Sequence, residues 1–283
     1  MLDYDDLCLC CGTIAHASFS ELVEAAAAGG FRSISIWPHH YQDACAQGLS
    51  DQDLKLMLED HGLSISELDP LMNWLPPAAL GLDPDSPATE TLGPGEDFFY
   101  QIADALGARH LNVVQAFGPR LETEMVVEAF AGVCDRAAQH GLKVSLEFLP
   151  WSGIPDIKTA GEIVRQAGRP NGGINLDTWH LHRSGGSVDD LTGLPADAVV
   201  AMQINDAAAE SWADVIEETM QGRLLPGHGV IDLPGVFRAL DTIGCMAPIG
   251  VEVFSDELLK LPPVEAARKA GDAIRTVLVR ART

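Results

Sequence analysis

Four side chains with oxygen donors stand at the ends of apolar runs in the C-terminal half of the chain. They are Glu147 in SLEFLPW, Asp177 in INLDTWH, Gln203 in MQIND and Glu252 in GVEVFS. Carboxylate and amide oxygens are hard ligands that suit Mg²⁺ or Mn²⁺ and also accept Co²⁺ or Zn²⁺. The residue types therefore predict a site for one divalent metal ion.

Glu147 and Glu252 carry the most information, because each interrupts an otherwise apolar run, VSLEFL and IGVEVF. A buried carboxylate without a partner is costly and tends to take up a proton instead. A metal ion or a cation removes that cost, and lysine and arginine are scarce here, with 18 against 41 acidic residues. The alternative for any one of them is a strand-end carboxylate bonded to backbone amides. Their alignment on consecutive strands favours the metal site.

The elements that must position these residues alternate along the chain. Apolar or β-branched runs typical of strands are separated by alanine-rich helical stretches, such as SFSELVEAAAAGG, which Ser18 or Ser20 could cap. The strand candidates are LCLCCGTIA, RSISIWP, LSISELDP, RHLNVVQAFG, KVSLEFLP, GGINLDTW, AVVAMQIND and APIGVEVFS. Eight such units with about eight helices in strict alternation predict one α/β domain over residues 1–283, a closed (β/α)8 TIM barrel. Polar groups at its strand ends would face the active-site mouth.

A doubly wound open sheet is the alternative fold. The first strand candidate is followed by no GxGxxG motif, which removes the usual dinucleotide-binding argument for that fold. The alternation of strand and helix patterns is interrupted at residues 71–95, which are rich in proline and glycine. A loop of this length is usually functional or disordered. We interpret it as a flap over the active-site mouth, with a surface insertion as the alternative.

Composition restricts the partners of the chain. Its net charge of -23 repels phosphate backbones, so nucleic acid is not expected to bind. The six cysteines form no CxxC pair, and small core residues are the simplest interpretation of them. No apolar run approaches the ~20 residues that span a bilayer, and the start MLDYDDLCLC lacks the pattern of a secretory signal. A cytoplasmic protein without membrane contact is expected.

From Lys143 to Ser255 the chain resembles the xylose isomerase-like TIM barrel family, which includes sugar epimerases, inosose isomerases and dehydratases, and dehydroshikimate dehydratases. The motifs that carry the resemblance are SLEFLPW, NLDTWH, QIND, LPGHGVIDL and GVEVFSDEL. The resemblance implies that the metal ligands are Glu147, Asp177, Gln203 and Glu252. It also implies that Glu147 and Glu252 form the catalytic acid/base pair, that His180 polarises the substrate or moves protons, and that the chain self-associates.

Arg223 resembles the arginine that the family places before a PGxG turn, and it is expected to bind substrate. The sequence departs from the family pattern at two positions. Gln203 stands where many epimerases and isomerases have histidine, which makes this position similar to some dehydratase members. A neutral amide is also a weaker ligand than imidazole. His228 stands in PGHG where an acidic residue is common, and it is expected to tune substrate recognition.

The remaining candidates for substrate binding are one histidine and three tryptophans. His16 follows the first strand candidate, where a surface or capping role is the alternative. Trp37, Trp74 and Trp151 could form an aromatic wall for a ring-shaped ligand, with packing at the barrel rim as the alternative. The roles of His182 and Arg183 stay open.

Together with the metal site, the resemblance implies a metal-dependent isomerase or epimerase acting on a small polyhydroxylated carbonyl compound, such as a sugar, keto-sugar or cyclitol. The ion would acidify a carbon-bound proton, a base would remove it, and a metal-stabilised enediolate would be reprotonated elsewhere. A lyase that expels a β-hydroxyl from the same enolate is the main alternative. A related endonuclease, which uses several zinc ions and more histidines, and a non-catalytic binding barrel are further alternatives.

Overall fold

The computed structural model describes residues 2–83 and 87–283, and in it eight parallel strands close into a barrel. The strands follow one another around the ring in chain order, and the last pairs with the first through Leu7 opposite Ile249. The predicted (β/α)8 barrel is therefore confirmed. Closure of the ring buries both faces of each strand, because helices cover the outer face and the bore encloses the inner one.

The bounds of the elements show how closely the strands match the predicted runs. The strands are β1 (Leu7–Leu9), β2 (Ser33–Ile36), β3 (Ser64–Leu71), β4 (His110–Val114), β5 (Lys143–Glu147), β6 (Gly172–Asp177), β7 (Val199–Ile204) and β8 (Ile249–Val251). The α-helices are α1 (Phe19–Gly29), α2 (Pro38–Ala46), α3 (Asp51–Asp60), α4 (Glu96–Leu106), α5 (Thr123–Ala137), α6 (Ile157–Ala167), α7 (Thr178–Arg183), α8 (Val215–Gln221), α9 (Leu233–Ile243), α10 (Asp256–Leu259) and α11 (Pro263–Arg282).

The predicted one-to-one alternation is wrong after β2, β7 and β8, where each connection contains two α-helices. In each pair the first helix is the shorter one, with 9, 7 and 4 residues against 10, 11 and 20. The first of these, α2, begins at Pro38, whose fixed φ suits the first turn of a helix. The predicted cap of α1 is confirmed at Ser18, whose hydroxyl accepts from the Glu21 N–H while the Glu21 carboxylate accepts from the Ser18 N–H.

The hydrophobic core lies between the outer faces of the strands and the surrounding helices. Leu146, Leu176 and Val251, for example, are fully buried members of one core cluster that also contains residues of the helices. Because side chains alternate along a strand, the residues between them face the barrel axis. Along β5 and β6 those positions hold Ser145 and Asn175, and both are fully buried. The bore is therefore polar, unlike the branched aliphatic filling that is common in this fold.

The segment from residue 71 to residue 95 contributes to the core on both sides of the undescribed stretch. Trp74, Leu75, Leu80 and Leu92 are buried, and a 3-10 helix spans Pro87–Leu92. Residues 84–86 of the proposed flap lie outside the described residues. The flap stays a prediction, and the described parts of this segment pack into the core.

Asp206, two residues beyond the end of β7, holds a distant turn in place. Its Oδ1 accepts from the N–H groups of Ala207 and Ile231 at 2.9 and 3.0 Å, and its Oδ2 accepts from those of Gly227 and Gly229 at 3.0 and 2.9 Å. The carboxylate is fully buried. It satisfies four backbone donors of loops that would otherwise be left unpaired, so this strand-end acid has a structural role.

All six cysteines are free, and five of them are buried, as expected for small core residues. Across residues 2–83 and 87–283, no helix combines the length and the apolar character that a membrane crossing requires.

Candidate metal centre and active site

The four predicted ligands lie at the carboxyl ends of neighbouring strands. Glu147 is the last residue of β5, Asp177 is the last residue of β6, Gln203 is the penultimate residue of β7, and Glu252 directly follows β8. All four are buried. The closed order of the barrel brings all four to the same mouth, where parallel strands present their carboxyl ends.

Asp177 shapes the local chain as well as the site. It is the N-cap of α7, and its Oδ1 accepts from the backbone N–H of His180 at 2.8 Å. Its Oδ2 accepts from Asn205 Nδ2 at 2.9 Å and from Arg223 Nη1 at 2.7 Å. Because the capping bond fixes the first turn of α7, it also places the His180 ring beside the strand ends.

Glu147, Asp177 and His180 form the tightest cluster of potential metal ligands among the described residues. One ligand atom from each lies within 4.8 Å of the others, and all three residues are buried. His180 Nε2 lies 3.3 Å from Glu147 Oε1 and 3.4 Å from Arg223 Nη2. When Nε2 carries a proton it can donate to Glu147, and when it does not it can accept from Arg223. The position suits both metal binding and proton movement.

Arg223 connects two of the predicted ligands. Its Nη1 donates to Asp177 Oδ2 at 2.7 Å and lies 3.3 Å from Glu252 Oε2. Thr219, on α8, fixes the guanidinium by accepting from Nε with its carbonyl and from Nη2 with its hydroxyl. The ring of Phe254 lies 4.9 Å from the guanidinium carbon. These contacts hold the arginine rigidly inside the site.

Gln203 lies between two carboxyl groups. Its Nε2 is 3.4 Å from Glu67 Oε1 and 3.4 Å from Glu252 Oε1. Its Oε1 is buried and accepts no hydrogen bond from the residues that the structure describes. A buried acceptor of this kind is uncommon in a folded protein, and it leaves an oxygen available to a ligand.

Three residues that were not predicted from the sequence also lie at this site. Glu67 and Asp69 lie on β3 and are buried, and Asn112 on β4 donates through Nδ2 to Asp69 Oδ1 at 2.8 Å and to Glu147 Oε2 at 2.7 Å. The signal was present in SISELDP, where two acids alternate with apolar residues in a predicted strand. That alternation places both acids on one face, and in a closed barrel the opposite face is covered by helices.

The carboxyl groups of the site perturb one another. Burial and the nearby Asp69 raise the pKa of Glu67 well above its usual range. Burial and the charge of Glu147 raise the pKa of Asp69 to about 7. Burial likewise raises the pKa of Glu252 well above its usual range, although Arg223 opposes the shift.

Asp177 behaves in the opposite way. Burial would raise its pKa, but Arg223, His180 and the bonds to its oxygens together lower it. The same attraction raises the pKa of Arg223 against the effect of burial, through Asp177 and Glu252. The ion pair with Arg223 therefore keeps Asp177 ionised. The pKa values of Glu67, Asp69 and Glu252 are raised instead, because positive charge near them does not offset their burial.

The residues fit a divalent cation. The buried carboxyl groups outnumber the arginine that contacts them, the free Gln203 Oε1 adds a neutral oxygen, and His180 adds an imidazole nitrogen. A cation among them would offset the burial cost of charges that otherwise take up protons. The cluster of Glu147, Asp177 and His180 could thus hold a metal ion.

Two of the predicted aromatic residues contact residues of the site. The Trp151 ring contacts His180 edge-on at 5.5 Å between ring centroids, and its Nε1 donates to the Ala116 carbonyl at 3.3 Å. Trp37 stacks on Phe254 at 6.2 Å, and its Nε1 lies 3.4 Å from Asp69 Oδ2. Both rings are partly exposed, so each has surface left to offer a ligand.

The structure does not bring the other predicted contacts into this cluster. Trp74 is buried in the core, where its Nε1 donates to the Val114 carbonyl at 2.8 Å. His16 is exposed and borders a surface cavity with His40. His228 is exposed and borders a different cavity, against α11. Their roles in substrate binding stay predictions.

The two undecided residues after His180 have separate surroundings. Arg183 pairs with the fully buried Glu218 on α8 and donates to the Ala208 carbonyl at 2.9 Å. It therefore fastens α8, which carries Thr219, to α7. His182 borders a cavity of about 280 Å³ that is lined in part by Thr178. Burial and the charge of Arg183 lower the pKa of His182.

The closed eight-stranded barrel, with its polar side chains at the mouth, is a TIM barrel. Comparison with known families gives the same fold. The model of the xylose isomerase-like TIM barrel matches residues 23–277. The chain belongs to this family.

The proteins of similar sequence include 3-dehydroshikimate dehydratases and inosose isomerases. A 3-dehydroshikimate dehydratase of Pseudomonas aeruginosa is 27% identical over 270 residues, which cover 91% of this chain and 39% of that protein. An inosose isomerase of Bacillus subtilis is 31% identical over 146 residues, which cover 51% of each chain. The chain thus spans well under two thirds of the length of these relatives.

A solved structure of the IolI protein, described with a binding zinc atom, superposes with a TM-score of 0.84 and 23% sequence identity. The match covers 96% of this chain and 98% of that one. At this level of identity the likeness concerns the fold.

Proposed function

We propose that the protein is a divalent-metal-dependent isomerase or epimerase that acts on a small polyhydroxylated carbonyl compound, such as a sugar, keto-sugar or cyclitol. One observation carries the proposal. Buried carboxyl groups from several strands meet at the mouth of the barrel with His180, and Arg223 is the arginine that contacts two of them. Such a site is costly to fold and is best explained by its chemistry.

The residues that would hold the ion are Glu147, Asp177, Gln203 and Glu252, with His180 in the closest cluster. When bound, a divalent ion supplies Lewis-acid polarisation of a substrate carbonyl oxygen, which makes the neighbouring C–H more acidic. The IolI structure, which shares this fold, is described with a binding zinc atom, and that agrees with a metal-dependent function. We expect Mn²⁺ or Mg²⁺ first, with Co²⁺ or Zn²⁺ as substitutes.

Glu147 is the proposed base. Asn112 holds its Oε2 through a bond of 2.7 Å, which leaves Oε1 to take a proton from carbon. His180 Nε2 is 3.3 Å from that oxygen and can receive the proton or return it. The carboxylate is thus oriented on one side and has a proton partner on the other.

Glu252 is the proposed acid. Burial raises its pKa well above the usual range, and Arg223 Nη1 lies 3.3 Å from its Oε2. β8 is separated from β5 by β6 and β7 around the ring, so Glu147 and Glu252 reach a substrate from different sides. Transfer from one face to the other inverts a centre, and return of the proton to the adjacent carbon isomerises the substrate.

A dehydratase is the second candidate, and one specific observation favours it. Two 3-dehydroshikimate dehydratases of Pseudomonas each match 91% of this chain, whereas the inosose isomerases match about half of it. Removal of the same proton by Glu147 would then be followed by loss of a β-hydroxyl as water, with Glu252 donating the proton to the leaving oxygen.

Incubation with candidate keto-sugars, inososes and 3-dehydroshikimate in D₂O and Mn²⁺ separates the two reactions. Deuterium uptake at carbon without loss of water supports the isomerase, and loss of water with a new ultraviolet absorbance of a more conjugated product supports the dehydratase. Glu147→Gln should abolish either signal, because removal of a general base costs about 10²–10⁴ in rate. Metal analysis of protein purified without chelator, together with both assays, gives the outcome that would reject the proposal: no bound divalent ion and no exchange with any substrate.

A further inference from the structure

The Gln203 amide is held from one end. Its Nε2 faces two carboxyl oxygens, Glu67 Oε1 and Glu252 Oε1, each at 3.4 Å, while its Oε1 is buried and accepts from none of the described residues. An amide has donors on nitrogen and an acceptor on oxygen, and its terminal torsion allows either end to point in either direction. The partners of Nε2 therefore decide where Oε1 points.

Glu67 is the partner that does not belong to the predicted ligand set. It lies on β3, across the bore from β7, and its side chain is buried. Glu252 is a predicted ligand, so its oxygens would turn toward the ion. Whether ionised or protonated, the Glu67 carboxyl keeps an oxygen that accepts from Nε2. Glu67 thus stays available when Glu252 is engaged.

We propose that Glu67 is a positioning residue that holds the Gln203 amide with Nε2 turned away from the metal and Oε1 free to bind it. The inference rests on the metal site of the proposed function. Without Glu67 the amide can rotate and present its N–H groups to the cation, which repels them. The structure thereby assigns a role to a β3 carboxyl that the ligand pattern does not include.

Titration of chelator-stripped protein with Mn²⁺ in a calorimeter tests this role. Glu67→Met removes the acceptor and keeps an unbranched side chain of similar length. We expect it to weaken Mn²⁺ binding by roughly 10–100-fold, the usual effect of losing a residue that orients a ligand. Glu67→Gln keeps a carbonyl acceptor for Nε2, so its affinity should lie closer to that of the wild type than to that of Glu67→Met.

The matched control is Glu67→Met in a protein that lacks the Gln203 amide. In a Gln203→Ala background, Glu67→Met should weaken Mn²⁺ binding no further, because there is no amide left to orient. The visible spectrum of the Co²⁺-loaded Glu67→Met protein should also move toward that of Gln203→Ala, since both lose the same ligand. Equal effects of Glu67→Met in the two backgrounds would overturn the inference.

A crystal structure of the Mn²⁺-loaded wild type tests the geometry without any variant. The inference expects Gln203 Oε1 on the ion and Nε2 within hydrogen-bond distance of Glu67, and an amide bonded the other way round overturns it. Wild-type protein that binds no divalent ion refutes both this inference and the proposed function. Wild-type protein that binds Mn²⁺ and is matched by Glu67→Met refutes this inference alone.

Discussion

Replacement of Arg223 by methionine should reveal how strongly the site depends on a cation. The guanidinium joins Asp177 at 2.7 Å and Glu252 at 3.3 Å, and its side chain is 3% exposed. Removing one partner of such a buried pair costs about 3–5 kcal/mol, because the remaining charges lose their compensation. The metal-free Arg223→Met protein should therefore unfold with a free energy about 3–5 kcal/mol below that of the wild type at pH 8.

This deficit should depend on pH. Carboxyl groups that lose their cation have raised pKa values in the folded protein, and a pKa that is higher by one corresponds to about 1.4 kcal/mol. A group whose folded pKa lies above its unfolded value loses stability as pH rises through that range. The difference between Arg223→Met and wild type should therefore shrink as pH falls from 8 to 5, since Asp177 and Glu252 then take up protons.

Added metal should restore more stability to the variant than to the wild type. A ligand at a hundred times its Kd stabilises the folded state by about 2.7 kcal/mol. In Arg223→Met the ion also replaces the missing counter-charge on Asp177 and Glu252, so it should bind more tightly there. The assay is urea unfolding followed by circular dichroism, in EDTA and in Mn²⁺, across this pH range.

Arg169→Met is the matched control, because Arg169 forms a bidentate ion pair with Asp135 on the exposed surface. Water screens that pair, so its loss should have little effect on unfolding. The reasoning is refuted if Arg223→Met is no less stable than Arg169→Met in EDTA. It is also refuted if Mn²⁺ stabilises Arg223→Met no more than it stabilises the wild type.

Three further predictions use the same urea titration. Burial lowers the pKa of His110 from 6.5 to about 4, so between these values the unfolded chain binds a proton that the folded chain excludes. The free energy of unfolding should therefore fall by about 2 kcal/mol on this account as pH drops from 7 to 5; His110→Gln should lack this fall, and equal pH slopes would contradict it. A Cβ on Gly250 would lie 2.3 Å from the Met202 carbonyl oxygen, so Gly250→Ala should lose about 1–3 kcal/mol through overpacking, and an unchanged midpoint would show that the strands can separate. Trp74→Phe leaves the buried Val114 carbonyl without its donor, at a cost of about 1–3 kcal/mol, and a variant as stable as the wild type would remove the packing role assigned to this indole.

The barrel was predictable because its signals are local. Each strand is a short apolar run, and each acid at a strand end stands out against its neighbours, as Glu147 does in VSLEFL. Once parallel strands are assumed, their carboxyl ends must meet at one mouth. The clustering of Glu147 and Asp177 with His180 follows from that rule together with the N-cap at Asp177.

What could not be predicted depends on contacts between distant parts of the chain. Glu67 approaches Gln203 across 136 positions of sequence, and no spacing rule relates them. Trp74 lies in a segment whose composition indicates a loop, but composition does not reveal which face of a loop is buried. The helix pairs after β2, β7 and β8 escaped the prediction for a related reason, because short helices leave only a weak periodic signal.

The carboxylate of Asp206 restricts how this protein can be engineered. Each of its oxygens accepts two backbone N–H groups, so asparagine would point its own N–H groups at two of those donors. The turn at residues 227–231 and Asp206 at the end of β7 must therefore be replaced together. A graft that imports a new turn to change substrate preference must reproduce the same backbone donors or replace Asp206 along with it. Proline at position 227, 229 or 231 would remove one of these backbone donors, so a library that randomises the turn should leave proline out at these positions.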